Sequence, residues 1–384
     1  MRGGPARFLW VLALAAAAQA AAASDRFVPA DPGFVVAVVR QATPDAQLRS
    51  LIERWRAAPV DAAGVALARA FLDRAHTLRE PMYIGRAESV LASAARRPDA
   101  SNDTRRLWAE TLQYRHEFQA AGQLLDDILG QSPFDVAART QRASIRLVRG
   151  DFTGARADCA QLMVRGSAVA LACLAESLAG SGRLQQARTL LATYPLPAAE
   201  DAAVRAYLLT IRGELAERAG DSGRAIGDYR AALELAPRDD SIRAALADAL
   251  LARGDAAGAD VVLDIERPSL ALLVRRVACT RGAERARLRA LASSWLELEA
   301  ARGDAPHHRE AALLALADGD AAAALSAAEK NFVTQKELPD VRVLARAIVA
   351  AGDAGARERL AEWLRTTGFG DAVTAEILGA PRRG

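Results

Sequence analysis

Lysine is almost missing from this chain of 384 residues, where Lys330 and Lys336 are the only two. Acidic and basic residues nearly balance, 47 against 50, and alternate along the chain, so no basic surface for nucleic acid is built. Histidine is confined to His76, His116, His307 and His308. The one cluster, His307-His308-Arg309-Glu310, lacks the HExxH spacing that sets two metal ligands on one helical face, and it reads as the start of a surface helix. No CxxC pair and no glycine-rich phosphate loop followed by lysine occurs, so neither a metal nor a cofactor is expected. Aromatic residues make up 5% of the chain and alanine is the commonest residue. Such a composition cannot fill one large core with bulky side chains and must stack thin layers instead.

Long apolar runs are missing too, except at the start. Arg2 and Arg7 precede an apolar stretch from Phe8 to Ala18, and Ala18 and Ala20 stand in an A-x-A arrangement. This is the pattern of a secretory signal peptide. The stretch is shorter than the roughly 20 residues of a spanning helix, so export with cleavage after Ala20 or Ala23 is expected over an uncleaved anchor. No cysteine lies near that site to carry a lipid. Loss of Arg2 and Arg7 would take the formal charge from +3 to +1. The expected location is periplasmic or secreted.

What the chain does have is a period. A helix-ending glycine, usually followed by aspartate, recurs at Gly150, Gly182, Gly220, Gly254, Gly319 and Gly352, each shortly before an alanine. The steps are 32, 38, 34, 65 and 33, so one degenerate unit is expected between Gly254 and Gly319. Stepping back by 34 from Gly150 reaches His116 and then Met82, which keep the following alanine-rich helix without the glycine.

A period near 34 with two helical patterns resembles the tetratricopeptide repeat. Leu209, Gly213, Gly220, Ala225, Tyr229, Ala232 and Pro237 fall on that family's signature positions, whereas Arg212 and Ala216 depart from them. Leu246, Ala247, Leu250, Gly254, Ala259 and Leu263 fit the next unit, and Trp108, Ala109, Leu112, Ala121, Leu125 and Pro133 an earlier one. The resemblance spans 61 to about 372 and is strongest in the middle. It implies an all-α fold: a right-handed α-solenoid of about nine stacked helix-turn-helix repeats. The physical reasons are separable. Glycine supplies a left-handed turn, alanine lets helices approach closely, Leu209 and Tyr229 fill the layers, and Pro237 stops the second helix for want of an amide donor.

The same frame explains the Gly-Asp-Ser-Gly stretch at 220–223, which surrounds the nucleophile in trypsin-like proteases. Ser222 is in register with Phe152, Leu184, Ala256, Ala321 and Ala354, at the start of a second helix. A nucleophile also needs a base and an oxyanion hole on a suitable fold, and no strand pattern exists here. The Arg-Gly-Asp stretches at 149, 253 and 302 read as the same turn chemistry. Cys159 and Cys173 lie seven residues on either side of Gly166, so antiparallel helices would bring them level, either as a disulfide or as two buried thiols. Cys279 is left over and is expected to be buried.

The resemblance also implies a ligand face, the concave one lined by first helices. Carried over position by position, it gives Asp103, Arg106, Glu110, Gln113 and Tyr114, then Thr140 and Ser144, then Tyr207, Thr210, Glu214, Glu217 and Arg218. A merely solvated face is the alternative reading. The Lys and Asn of the family's carboxylate clamp are missing, and mixed signs argue against a strongly acidic or basic partner. A short peptide or a helix of another protein is the expected ligand.

The expected organisation is a signal peptide (1–23), an extended segment (24–43), cap helices with a degenerate repeat (44–101), repeats (102–272), degenerate repeats (273–372) and a tail (373–384). The expected role is a non-enzymatic interaction scaffold in the bacterial envelope. The alternatives are an envelope enzyme with an unrecognised site, and a structural subunit that self-associates through its N-terminal segment.

Overall fold

In the computed structural model, residues 46–78, 82–164, 167–194, 201–302 and 306–379 are described. The expected signal peptide and extended segment lie outside them. Among the described residues there are helices and no strand. The helices are α1 (Ala46–Ala57), α2 (Asp61–Leu78), α3 (Met82–Ala95), α4 (Asn102–Tyr114), α5 (Phe118–Gln131), α6 (Val136–Arg149) and α7 (Phe152–Met163). They continue with α8 (Ala168–Gly180), α9 (Leu184–Ala192), α10 (Ala202–Arg218), α11 (Ser222–Leu235), α12 (Asp240–Ala252), α13 (Ala256–Leu263) and α14 (Leu270–Cys279). The last are α15 (Gly282–Arg302), α16 (His308–Asp318), α17 (Ala321–Thr334), α18 (Leu338–Ala351), α19 (Ala354–Thr367) and α20 (Ala372–Ile377). Residues 372–377, with 373–377 expected in the tail, are helical, because Asp371 accepts the Thr374 amide at 2.9 Å and caps them.

From α2 to α19 the helices pair into nine hairpins among the described residues, stacked as an all-α solenoid. Successive first helices pack on one another, α10 and α12 excepted, whereas the second helices chiefly contact their own partner and the next first helix. The first helices therefore form the inner wall. Each Gly-Asp turn does two jobs. At 220–221 the Gly220 amide reaches the Glu217 carbonyl and the Asp221 amide reaches the Ala216 carbonyl, closing α10 as a Schellman motif. The Asp221 carboxylate then accepts the Arg224 amide at 3.1 Å and opens α11. Phe152, Leu184, Ser222, Ala256, Ala321 and Ala354 are each the first residue of a second helix. Ser222 has no histidine partner among the described residues.

The degenerate unit is the hairpin α14/α15, whose short first helix turns through Gly282. His116 occupies the turn position of α4/α5 and is, among the described residues, the non-glycine with a left-handed backbone, φ 58°. Between the helices of one hairpin, a small residue faces a large one: a Cβ on Gly213 would come within 2.6 Å of the Tyr229 ring, which is fully buried. The seam between hairpins α6/α7 and α8/α9 carries a disulfide, Cys159–Cys173, with Cα atoms 5.7 Å apart. Cys279, expected to be buried, is a half-buried free thiol; its Sγ reaches the Arg275 carbonyl and burial pushes its pKa up to about 11.

The C-terminal hairpins close over the turns of the central ones. His116 stacks against Phe118, meets the His307 ring at 6.0 Å and approaches Gln335 at 3.3 Å. One unit on, the Lys336 amide donates to the Val148 carbonyl at 2.7 Å, beside Gly150. At the next turn a Cβ on Gly182 would stand 3.0 Å from the Gly368 carbonyl, and at the next, one on Gly220 would touch Ala372. Phe152, Trp363 and Phe369 fill the space between. Arg342 is buried and clamps Asp371 at 2.8 Å and Glu217 at 3.1 Å.

Candidate functional site: the inner wall of first helices

From α4 to α12 one position repeats along the inner wall, six residues before the turn residue: Glu110 before His116, Ser144 before Gly150, Glu176 before Gly182, Glu214 before Gly220 and Asp248 before Gly254. Four of these five are carboxylates, and they differ in what neutralises them. On α4, Glu110 lies 3.3 Å from the His76 ring, which also receives the Tyr114 hydroxyl at 2.6 Å. The contact with Glu110 raises the His76 pKa. On α12, Asp248 takes a bidentate bond from Arg275, both distances 2.9 Å.

Glu176 on α8 and Glu214 on α10 have no such cation. Glu176 accepts the Tyr207 hydroxyl at 2.7 Å, and Glu214 has no hydrogen-bond or ion-pair partner among the described residues. Burial raises both carboxyl groups, Glu176 to about 7 and Glu214 to about 8, and each raises the pKa of Tyr207 further. Glu337, at the start of α18, adds a third negative charge across the gap. The positive charge within reach, Arg218, is turned away: its guanidinium lies 4.1 Å over the Phe369 ring, and its buried Nη1 has no hydrogen-bond partner. Two adjacent acids in this setting bind protons tightly, and they would bind a cationic side chain in place of those protons.

The other residues expected on this face take varied places. Arg106 pairs with Asp103 at 2.8 Å along α4, and Gln113 is half-buried nearby. Thr140 and Thr210 turn their hydroxyls back to the Val136 and Ala206 carbonyls, while Ser144 is exposed. Glu217 is 4% exposed, held by Tyr229 at 2.8 Å and by Arg342, so the chain's own C-terminal hairpin covers it and its neighbour Arg218. His76 and Glu176 were missed from the sequence. Glu176 was within reach, since counting six back from Gly182 finds it; His76 precedes the first legible turn and has no such marker.

No protein-family model matches the chain, and no curated protein matches it. The chain is similar to tetratricopeptide-repeat proteins of known structure. A thermophilic TPR protein of Thermus thermophilus is 22% identical over 50% of this chain and 98% of that one, with a TM-score of 0.38. A tetratricopeptide repeat protein of Parabacteroides merdae is 14% identical over 78% of this chain and 98% of that one, with a TM-score of 0.37. In the APC/C hetero-tetramer Cut9–Hcn1, a chain 14% identical is matched over 77% of this chain and 58% of that one, with a TM-score of 0.46. At these values the likeness adds nothing to what the chain's own stacked hairpins show.

Proposed function

We propose that the chain is a non-enzymatic scaffold of the bacterial cell envelope that binds a peptide or helix of a partner protein along its inner wall. The observation that carries this reading is the Glu176–Tyr207–Glu214 group, two raised carboxyls on adjacent first helices with no cation bonded to either. Enclosed carboxyls of this kind favour a lysine or arginine side chain, which restores both to the charged form. Mixed signs elsewhere on the wall make the remainder of the ligand neutral on balance. The envelope location rests on Arg2, Arg7, the apolar stretch from Phe8 to Ala18 and the small residues after it.

The test is photo-crosslinking in the native cell. A photoreactive residue replacing Ser144, exposed on α6, is expected to capture a defined partner through a segment that bears a lysine or arginine. The same residue replacing Arg230, exposed on the second helix α11, is expected to capture none of it. Equal capture from both positions, or none from Ser144, refutes the reading.

A further inference from the structure

The chain's two lysines stand at one place, outside the inner wall. A surface groove of about 640 Å³ lies between the second helix α17 and the turn that joins α18 to α19, and an adjoining hollow of about 340 Å³ extends it between α17 and the second helix α19 toward the end of α17. Leu325, Val333 and Ala351 line the first stretch, and Phe332, Leu344 and Leu360 the second. Val333 is 75% exposed.

Its charges are not balanced. Arg359 and Glu329 neutralise each other across the groove, and Asp353 is engaged at its rim by the Ala356 amide. Lys330 is exposed and has no carboxylate partner among the described residues. The Lys336 ammonium reaches the Val333 carbonyl at 3.1 Å and lies over the Phe332 ring, again with no carboxylate bonded to it. Arg149 follows the Val148 carbonyl that holds the Lys336 amide, and it too is exposed and unpaired among the described residues. Lys330 on the first stretch and Lys336 on the second thus stand without a bonded carboxylate beside apolar walls, with Arg149 next to Lys336. This is where both of the chain's lysines fall.

We infer that this groove is a second docking surface, and that its occupant is a short amphipathic helix of a partner protein with acidic residues at the end lying over Lys330, Lys336 and Arg149. Charge complementarity sets the acidic end. The walls set the conformation: α17 and α19 are helices whose main-chain groups are already bonded, so an extended peptide would leave its own amides and carbonyls without partners, whereas a helix satisfies them itself. From Ala322 to Val333 the α17 wall is about 17 Å long at 1.5 Å per residue, which suits a helix of about eleven residues.

The probes are three fluorescein-labelled peptides of that length, read by fluorescence anisotropy against the full chain. One has leucines at helical spacing with glutamates at one end, one has lysines in place of the glutamates, and one has serines in place of the leucines. The acidic amphipathic peptide is expected to bind, and the other two to bind at least about tenfold more weakly. Val333→Asp and Lys330→Glu, both at exposed positions, are each expected to weaken it by about tenfold with an unchanged melting curve, while Glu214→Gln leaves it unchanged. Failure of the acidic peptide to bind, equal binding of the lysine peptide, or indifference to Val333→Asp and Lys330→Glu overturns the inference. So does a dimer in light scattering that Val333→Asp dissolves, since a second copy of the chain would then own the groove.

Discussion

Inside most hairpins one residue takes a left-handed backbone, and glycine fills that place at Gly150, Gly182, Gly220, Gly254, Gly319 and Gly352. His116 fills it once, at a cost of about 1–2 kcal/mol that glycine avoids. Its ring stacks 5.6 Å from Phe118 and meets His307, and burial beside His307 lowers its pKa, so the neutral ring is the form that packs. The glycines are not equivalent either. Gly254 has open space where a Cβ would go, whereas at Gly182 that atom would press on the Gly368 main chain. Gly254→Ala is therefore expected to cost about 1–2 kcal/mol in urea denaturation, and Gly182→Ala clearly more. The turns were legible in the sequence because their chemistry is local. The second demand on Gly182 was not, because its cause lies at Gly368, near the other end of the chain.

At the scale of helices, the alternation of first and second helices was legible in the Gly-Asp period and in the alanines that follow it. The missing unit showed as a doubled step, because Gly282 turns α14/α15 out of phase with its neighbours. The disulfide closes a short loop between adjacent hairpins, and the double variant Cys159→Ala/Cys173→Ala is expected to lose about 3 kcal/mol in chemical denaturation. The acid pair makes a different prediction. Glu176 and Glu214 have folded pKa values raised to about 7 and about 8 from an ordinary 4.5, so the folded chain holds these protons more tightly than the unfolded chain. Their contribution to stability is fully present below about pH 4.5 and is lost as pH rises through 8. Glu214→Gln is therefore expected to melt close to the wild type at pH 4.5 and above it at pH 8.5. Asp248 and Asp371, whose pKa values arginines hold down against burial, act only at lower pH and cancel in this comparison.

At the scale of the molecule, the solenoid is closed by its own last hairpins, and that closure is something no period announces. Arg342 looks like any other helix arginine in the sequence; in the fold it is buried between Glu217 and Asp371 and joins two distant parts of the chain. Arg342→Ala strands two buried carboxylates and is expected to cost about 3–5 kcal/mol, seen as a lower denaturation midpoint. The closure also sorts the inner wall: Glu217 and Arg218 are taken by the chain itself, and Glu176 and Glu214 are left with no cation bonded to either. The most direct test of that division is calorimetric titration of the full chain, at pH 7, with the partner segment captured from Ser144, in two buffers of different ionisation enthalpy. Net release of protons on binding, much reduced in Glu214→Gln, is the expected result; binding that releases none, or takes protons up, would contradict it.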